Sequence, residues 1–280
     1  MLRRFYSVIL VVLAMAVLLI PMSCSPPSVE IVAGSSQISS AVRDIAGDKL
    51  EITNIIPGGM CPGHYDVKPG DVEALANGEL FIIHNWQQDK ANITGLIEAA
   101  NRPDLPIRVI SIMDVPMLPS YQIEMVDSIS LILSEIYPDD SEYYQESAAK
   151  RKEVISAKEI ELKDRLKNAN FGGVKVLCDE MQAGFVGWLG FDVIAAYGRP
   201  EDLSAGEMEQ LVTEGSQAGV LLVIDNLQSG GTDNSEGIAR DTGAIQVVIS
   251  NFPGGFENTE TWDKAVDKNI DLLLEALAKA

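Results

Sequence analysis

Residues 204–226 read SAGEMEQLVTEGSQAGVLLVIDN. The first part, residues 204–217, reads as a helix closed by Gly219. Residues 220–224 then form a short apolar run that ends on polar Asp225-Asn226. A continuous run of this kind, rich in Val, Leu and Ile, is what a parallel strand covered on both faces requires. The unit recurs along the chain. In the first half the apolar runs are 29–33, 52–56, 80–83 and 107–112; in the second they are 174–177, 193–196, 220–224 and 245–249. Helical segments at 37–46, 71–76, 90–100, 235–242 and 261–278 fill the gaps. Strand–helix repetition twice over predicts an α/β protein of two doubly wound parallel-sheet lobes.

Between the halves the pattern changes. Residues 123–136 read as one helix stopped by Pro138, and Asp139 then caps a second helix, with Glu142 three residues on as a capping box. That second helix runs to about residue 168, without a Gly-rich hinge, and is expected to act as a rigid spine joining the lobes. The expected division is a signal peptide at 1–23, a linker at 24–28, an N-terminal lobe at 29–122, the spine at 123–170 and a C-terminal lobe at 171–280.

The N-terminus reads as an address. Arg3 and Arg4 precede an apolar stretch over 8–20, which is shorter than the ~20 residues of a bilayer span. A cleaved export signal fits this pattern; a retained anchor is the alternative. Ser23-Cys24 stands where a lipoprotein signal places the cysteine that receives lipid, although Pro21 occupies a position where Leu is usual. We therefore expect an extracytoplasmic chain tethered to the membrane through Cys24, on the short linker Ser25-Pro26-Pro27-Ser28. The net charge is −20, and loss of Arg3 and Arg4 makes it more negative by two. Such a surface repels nucleic acid and attracts cations only weakly. The chain is expected to be a monomer.

In open α/β sheets, ligands bind beyond the carboxyl ends of the strands. There the sequence places Cys61 and His64 after the second run, His84-Asn85-Trp86 after the third, Cys178-Asp179-Glu180 after the fifth, Asp225-Asn226 after the seventh and Ser250-Asn251 after the eighth. Both histidines of the chain belong to this set. A thiolate, two imidazoles and a carboxylate suit zinc or a similar borderline metal. Cys61, His64, His84 and Glu180 are accordingly the candidate metal ligands. Each has a structural alternative. His84 can simply hydrogen-bond at a strand end, Glu180 can begin a helix, Asp225 can cap the next segment, and Cys178 can be a core thiol. A Cys61–Cys178 disulfide would need the two Cα atoms within ~7 Å.

The stretch Ile55-Ile56-Pro57-Gly58-Gly59-Met60-Cys61-Pro62-Gly63-His64-Tyr65, followed by Lys68-Pro69-Gly70-Asp71, resembles the loop of the zinc- and manganese-binding proteins of ABC importers, cluster A-I. Further resemblance lies in Asn77 to Ile83, in Tyr137-Pro138-Asp139 with Tyr143-Tyr144, and in Arg240-Asp241-Thr242-Gly243-Ala244. The resemblance spans the chain beyond the signal and implies two lobes, a connecting helix and no enzymatic activity. It also implies three histidines and a carboxylate as ligands, and here the sequence departs from it. Only the first histidine maps, onto His64. The second would lie within 114–119, where there is none; the third falls at Asp179, Glu180 or Gln182; the normally acidic fourth falls near Asn251.

These readings predict a solute-binding protein that passes a divalent transition metal, zinc-like in its ligand preference, to an ABC permease without organic cofactor. A metal chelate or another small solute is the alternative cargo. A metal-dependent hydrolase is a weaker competitor, because no zincin helix motif, Gly-x-Ser-x-Gly elbow or phosphate loop is present. A metal chaperone is indistinguishable at this level.

Overall fold

The computed structural model describes residues 30–169 and 171–280. The expected signal, Cys24 and its linker lie outside them. Within these residues are two four-stranded parallel sheets. The first contains β1 (Glu30–Ala33), β2 (Glu51–Asn54), β3 (Leu80–His84) and β4 (Ile107–Ile110) in the order β2-β1-β3-β4. The second contains β5 (Lys175–Asp179), β6 (Asp192–Tyr197), β7 (Leu222–Asn226) and β8 (Ile245–Ile249) in the order β6-β5-β7-β8. The two orders are the same, so each half is the same winding of the chain.

Helices α1 (Ser36–Ala46), α2 (Pro69–Asn77) and α3 (Ala91–Ala100) belong to the first sheet. Helices α6 (Glu180–Trp188), α7 (Ala205–Ala218), α8 (Asp233–Thr242) and α9 (Trp262–Leu277) accompany the second. Side chains alternate across each strand and separate the cores. In the first sheet Ile31, Ala33 and Ile82 face a large shared cluster, while Val32, Phe81 and Ile83 face a smaller one under α2 and α3. The second sheet does the same, with Cys178 and Ile224 in the shared cluster and Leu177 and Val223 on the other face.

Helices α4 (Pro119–Ile136) and α5 (Ser141–Ala169) join the halves. The shared cluster continues from Ile31 through Met125, Ile129, Tyr144 and Ile155 to Val266 and Ile270 of α9. The long helix α5, 29 residues, is thus packed rather than free-standing. It is also held by ion pairs: Arg151 reaches Asp44 of α1 at 2.8 Å and Asp263 of α9 at 2.6 Å, and Lys158 reaches Asp267 of α9 at 2.7 Å. Two details differ from expectation. Helix α4 starts at Pro119, because proline at the first helical position forfeits no backbone donor. Asp139 lies inside a 3-10 turn, Pro138–Asp140, which runs straight into α5, so it is not that helix's cap.

Candidate functional site

A cavity of about 370 Å3 opens where the carboxyl ends of the two sheets meet. Every strand leads into it. Gln37 follows β1, Pro62 and Gly63 follow β2, His84 and Trp86 end and follow β3, and Ile112 and Asp114 follow β4. From the second sheet come Met181 after β5, Arg199 after β6, Asn226 and Gln228 at the end of β7, and Asn251 and Phe252 after β8.

His84 is the last residue of β3 and is buried. Its Nε2 lies 2.9 Å from Oγ of Ser35, the residue that caps α1, and its backbone N–H donates to Gln87 Oε1 at 2.9 Å. The imidazole stacks on Trp86, with ring centroids 5.1 Å apart. Burial pushes its pKa down to about 3, so the ring is neutral at any physiological pH.

The other three expected ligands stand elsewhere. The loop over 57–64 folds so that the His64 N–H donates to the Cys61 carbonyl at 3.1 Å. The His64 ring is exposed, with Nε2 3.7 Å from Glu201 Oε1, and it lines a separate surface recess with Asp233 and Gly230. Cys61 is half-buried and does not line the inter-sheet cavity. Glu180 is the exposed first residue of α6. Its neighbour Asp179 is buried and caps that helix, accepting from the Met181 N–H at 2.7 Å. Among the described residues, no three His, Cys, Asp or Glu side chains stand close enough together to hold a metal ion. The set Cys61, His64, His84 and Glu180 is therefore not brought together here, and only His84 reaches the cavity. Cys61 and Cys178 are both free, so the conceivable disulfide is not formed. Cys178 is a core thiol whose pKa burial pushes up to about 12.

What the cavity presents instead is a network of amides that ties the lobes. Gln37 Nε2 donates to the Asn251 carbonyl at 2.9 Å, and Gln228 Nε2 donates to the Gly58 carbonyl at 2.6 Å. Gln228 Oε1 accepts from the Asn251 N–H at 3.0 Å. Asn251 Nδ2 donates to the Met181 carbonyl at 3.2 Å, while its Oδ1 is buried without a partner. Gly58 lies so close to the other lobe that a Cβ there would sit 2.1 Å from the Pro253 carbonyl oxygen. Sequence reasoning missed Gln37, Tyr121, Arg199 and Gln228. Arg199 was within reach of the strand-end rule, since Tyr197-Gly198-Arg199 follows the sixth apolar run.

A sequence profile of the family described as zinc-uptake complex component A, periplasmic, ZnuA, matches residues 31–276. The chain belongs to this family. A ZnuA-family protein is the extracytoplasmic, non-enzymatic binding component of an ABC-type metal-uptake system, and that is the class of this chain. Solved structures agree on the fold. A manganese-bound periplasmic metal-binding protein from Candidatus Liberibacter asiaticus is 13% identical, with 89% of this chain and 100% of that one covered at a TM-score of 0.73. A cadmium-bound form of a periplasmic metal-binding protein from the same organism gives the same figures. A crystal structure of ZnuA is 17% identical, with 89% and 99% covered and a TM-score of 0.72.

Proposed function

We propose that this ZnuA-family chain captures a transition-metal cargo, zinc-like in its ligand preference, in the cavity between its sheets and delivers it to the permease of an ABC importer. The observation that carries this reading is the cavity, into which all eight strands lead and which both lobes line. Capture needs no chemistry beyond oriented donors and a partly dry cleft. Release follows when the permease pulls the lobes apart, which breaks the Gln37–Asn251 and Gln228–Gly58 hydrogen bonds between them.

Tethering through Cys24 keeps the protein beside its permease. The apolar stretch ahead of Ser23-Cys24 supports this, and Cys24→Ser should move the protein from the membrane fraction to the soluble one. A lipid-free parent in the soluble fraction would end the tether.

The test of cargo is cellular. Cells lacking the chain should accumulate less zinc, cobalt or manganese under metal restriction, and the chain restored should reverse the deficit. Unchanged content of all three metals would overturn the reading.

A further inference from the structure

The cavity is larger than an ion needs, and its charges suit an anion. A bound divalent ion brings its donors to within ~2.0–2.6 Å, leaving no free volume. A space of about 370 Å3 lies instead in the range that small organic ligands fill. Lys90 and Arg199 line it against a single carboxylate, Asp114, on a chain whose net charge is −20; Arg199 also lies 3.9 Å from Glu201, which stands outside the lining. Asp114 is already engaged, since it accepts from the Val115 N–H and from the Ser120 hydroxyl. Two cations to one carboxylate along the cavity wall of so acidic a protein favour an anionic guest over a bare cation.

Two further features point to an organic guest. Trp86 is 40% exposed, and its ring is held against the buried His84, so it offers a fixed flat surface at the cavity wall. Asn251 is 95% buried by its 5% exposure, lines the cavity, and carries an Oδ1 with no partner. A buried acceptor left open costs stability unless a ligand satisfies it.

We propose that the cargo is an anionic metal chelate: a divalent transition metal already wrapped by a small carboxylate-bearing organic molecule. The carboxylates pair with Arg199 and Lys90, and the carbon skeleton lies on Trp86. The Asn251 amide turns to present its closed-off Oδ1 to a donor of the chelator. The chelator supplies the donor atoms that this chain does not assemble. The inference rests on the metal-capture reading above and narrows it.

Calorimetric titration of the intact purified protein tests it. The probes are zinc chloride and cobalt chloride, free citrate, free ethylenediaminetetraacetate and free nitrilotriacetate, and each chelator preloaded with either metal. At least one loaded chelate should bind ten-fold or more tightly than its free chelator and than the bare metal. Arg199→Gln and Trp86→Ala should each weaken that binding ten-fold or more, with the unfolding midpoint of the ligand-free protein unchanged. Bound cobalt should show no thiolate-to-metal absorption band. Bare zinc that binds more tightly than every chelate, or a cobalt–thiolate band abolished by Cys61→Ala, would overturn the chelate and leave metal capture standing. A free chelator that binds as tightly as its loaded form would overturn both readings, because the metal would then be incidental. A parent protein that binds none of the three chelates overturns the proposal as well.

Discussion

Nε2 of His84 lies 2.9 Å from Oγ of Ser35, inside the cavity wall and out of reach of solvent. Burial of the ring settles what its protonation would do. The folded pKa is about 3, below the ordinary 6.5, so the unfolded chain takes up a proton that the native state refuses. Stability from this group is therefore complete above pH 6.5 and is lost as the pH falls toward 3. By pH 4.5 the loss should reach about 3 kcal/mol. Urea denaturation at several pH values, compared between the parent and His84→Gln, measures it. A parent and variant with the same pH slope would show the ring to be accessible. Ser35→Ala should cost about 1–2 kcal/mol at neutral pH, because it strands the buried ring nitrogen.

Asp179 acts in the opposite sense. Burial raises its pKa to about 6, against the help of its hydrogen bonds to Ser229 and to the Met181 N–H. An acid whose folded pKa is raised above the unfolded value stabilises the native state when protonated. Its contribution is greatest below about 3.8 and is lost as the pH rises through 6. Asp179→Asn keeps an acceptor at the helix cap while removing the buried charge. It should gain about 2 kcal/mol at pH 7 and little at pH 4. Between those values Asp179 and His84 offset one another in the parent, so the Asp179→Asn protein should show the steeper acid loss. A variant less stable than the parent at pH 7 would mean that the charge is needed.

The central strands were legible because a parallel strand covered on both faces must be apolar at nearly every position. Runs such as Leu80 to Ile83 have no other economical use in a soluble lobe. The spine was legible from its length. Its exact start was not, because a proline such as Pro119 both ends a loop and opens a helix, and the apolar pattern begins only at Ile123. The site was less visible still. Cys61 and His64 are near in sequence, but the backbone turn that joins the His64 N–H to the Cys61 carbonyl leaves the His64 ring outside the cavity. Side-chain direction in a Gly/Pro-rich loop is set by dihedrals that residue type alone does not dictate. Glu180 was correctly placed at a strand end, yet helix α6 begins there and leaves it exposed while Asp179 is buried.

Gly58 packs directly against backbone of the other lobe. A Cβ at this position would meet the Pro253 carbonyl oxygen at 2.1 Å and the Gly254 carbonyl carbon at 2.8 Å, both backbone atoms that cannot swing aside. Gly58→Ala should therefore hold the cleft open and lengthen the Gln228–Gly58 hydrogen bond. Cargo affinity should fall at least ten-fold, while Gly70→Ala, with open space around it, should bind as the parent does. Calorimetry on the two variants checks this. Equal affinity in both would show that contact across the cleft plays no part in binding.

Arg151 ties the spine to both lobes at once. Its guanidinium meets Asp44 of α1 and makes two hydrogen bonds to Asp263 of α9, with only 11% of the side chain exposed. Removing the cation would leave two carboxylates facing each other in a partly dry space. Asp44 already has a raised pKa through burial, held in check by Arg151 and pushed further by Asp263. Arg151→Met should therefore destabilise the protein by about 3 kcal/mol at pH 7. The penalty should shrink as the pH falls and Asp44 takes up a proton, because protonation removes the repulsion. Denaturation of the variant at pH 7 and pH 5 measures both effects; a loss that is equal at the two values would mean that packing, not charge, is at stake. The same clamp, together with the shared core along α5, should keep the lobes from swinging. X-ray scattering of the parent with and without bound cargo should then give superimposable profiles, and Arg151→Met should give a broader one. A marked contraction of the parent on binding would show that the spine bends despite its ion pairs.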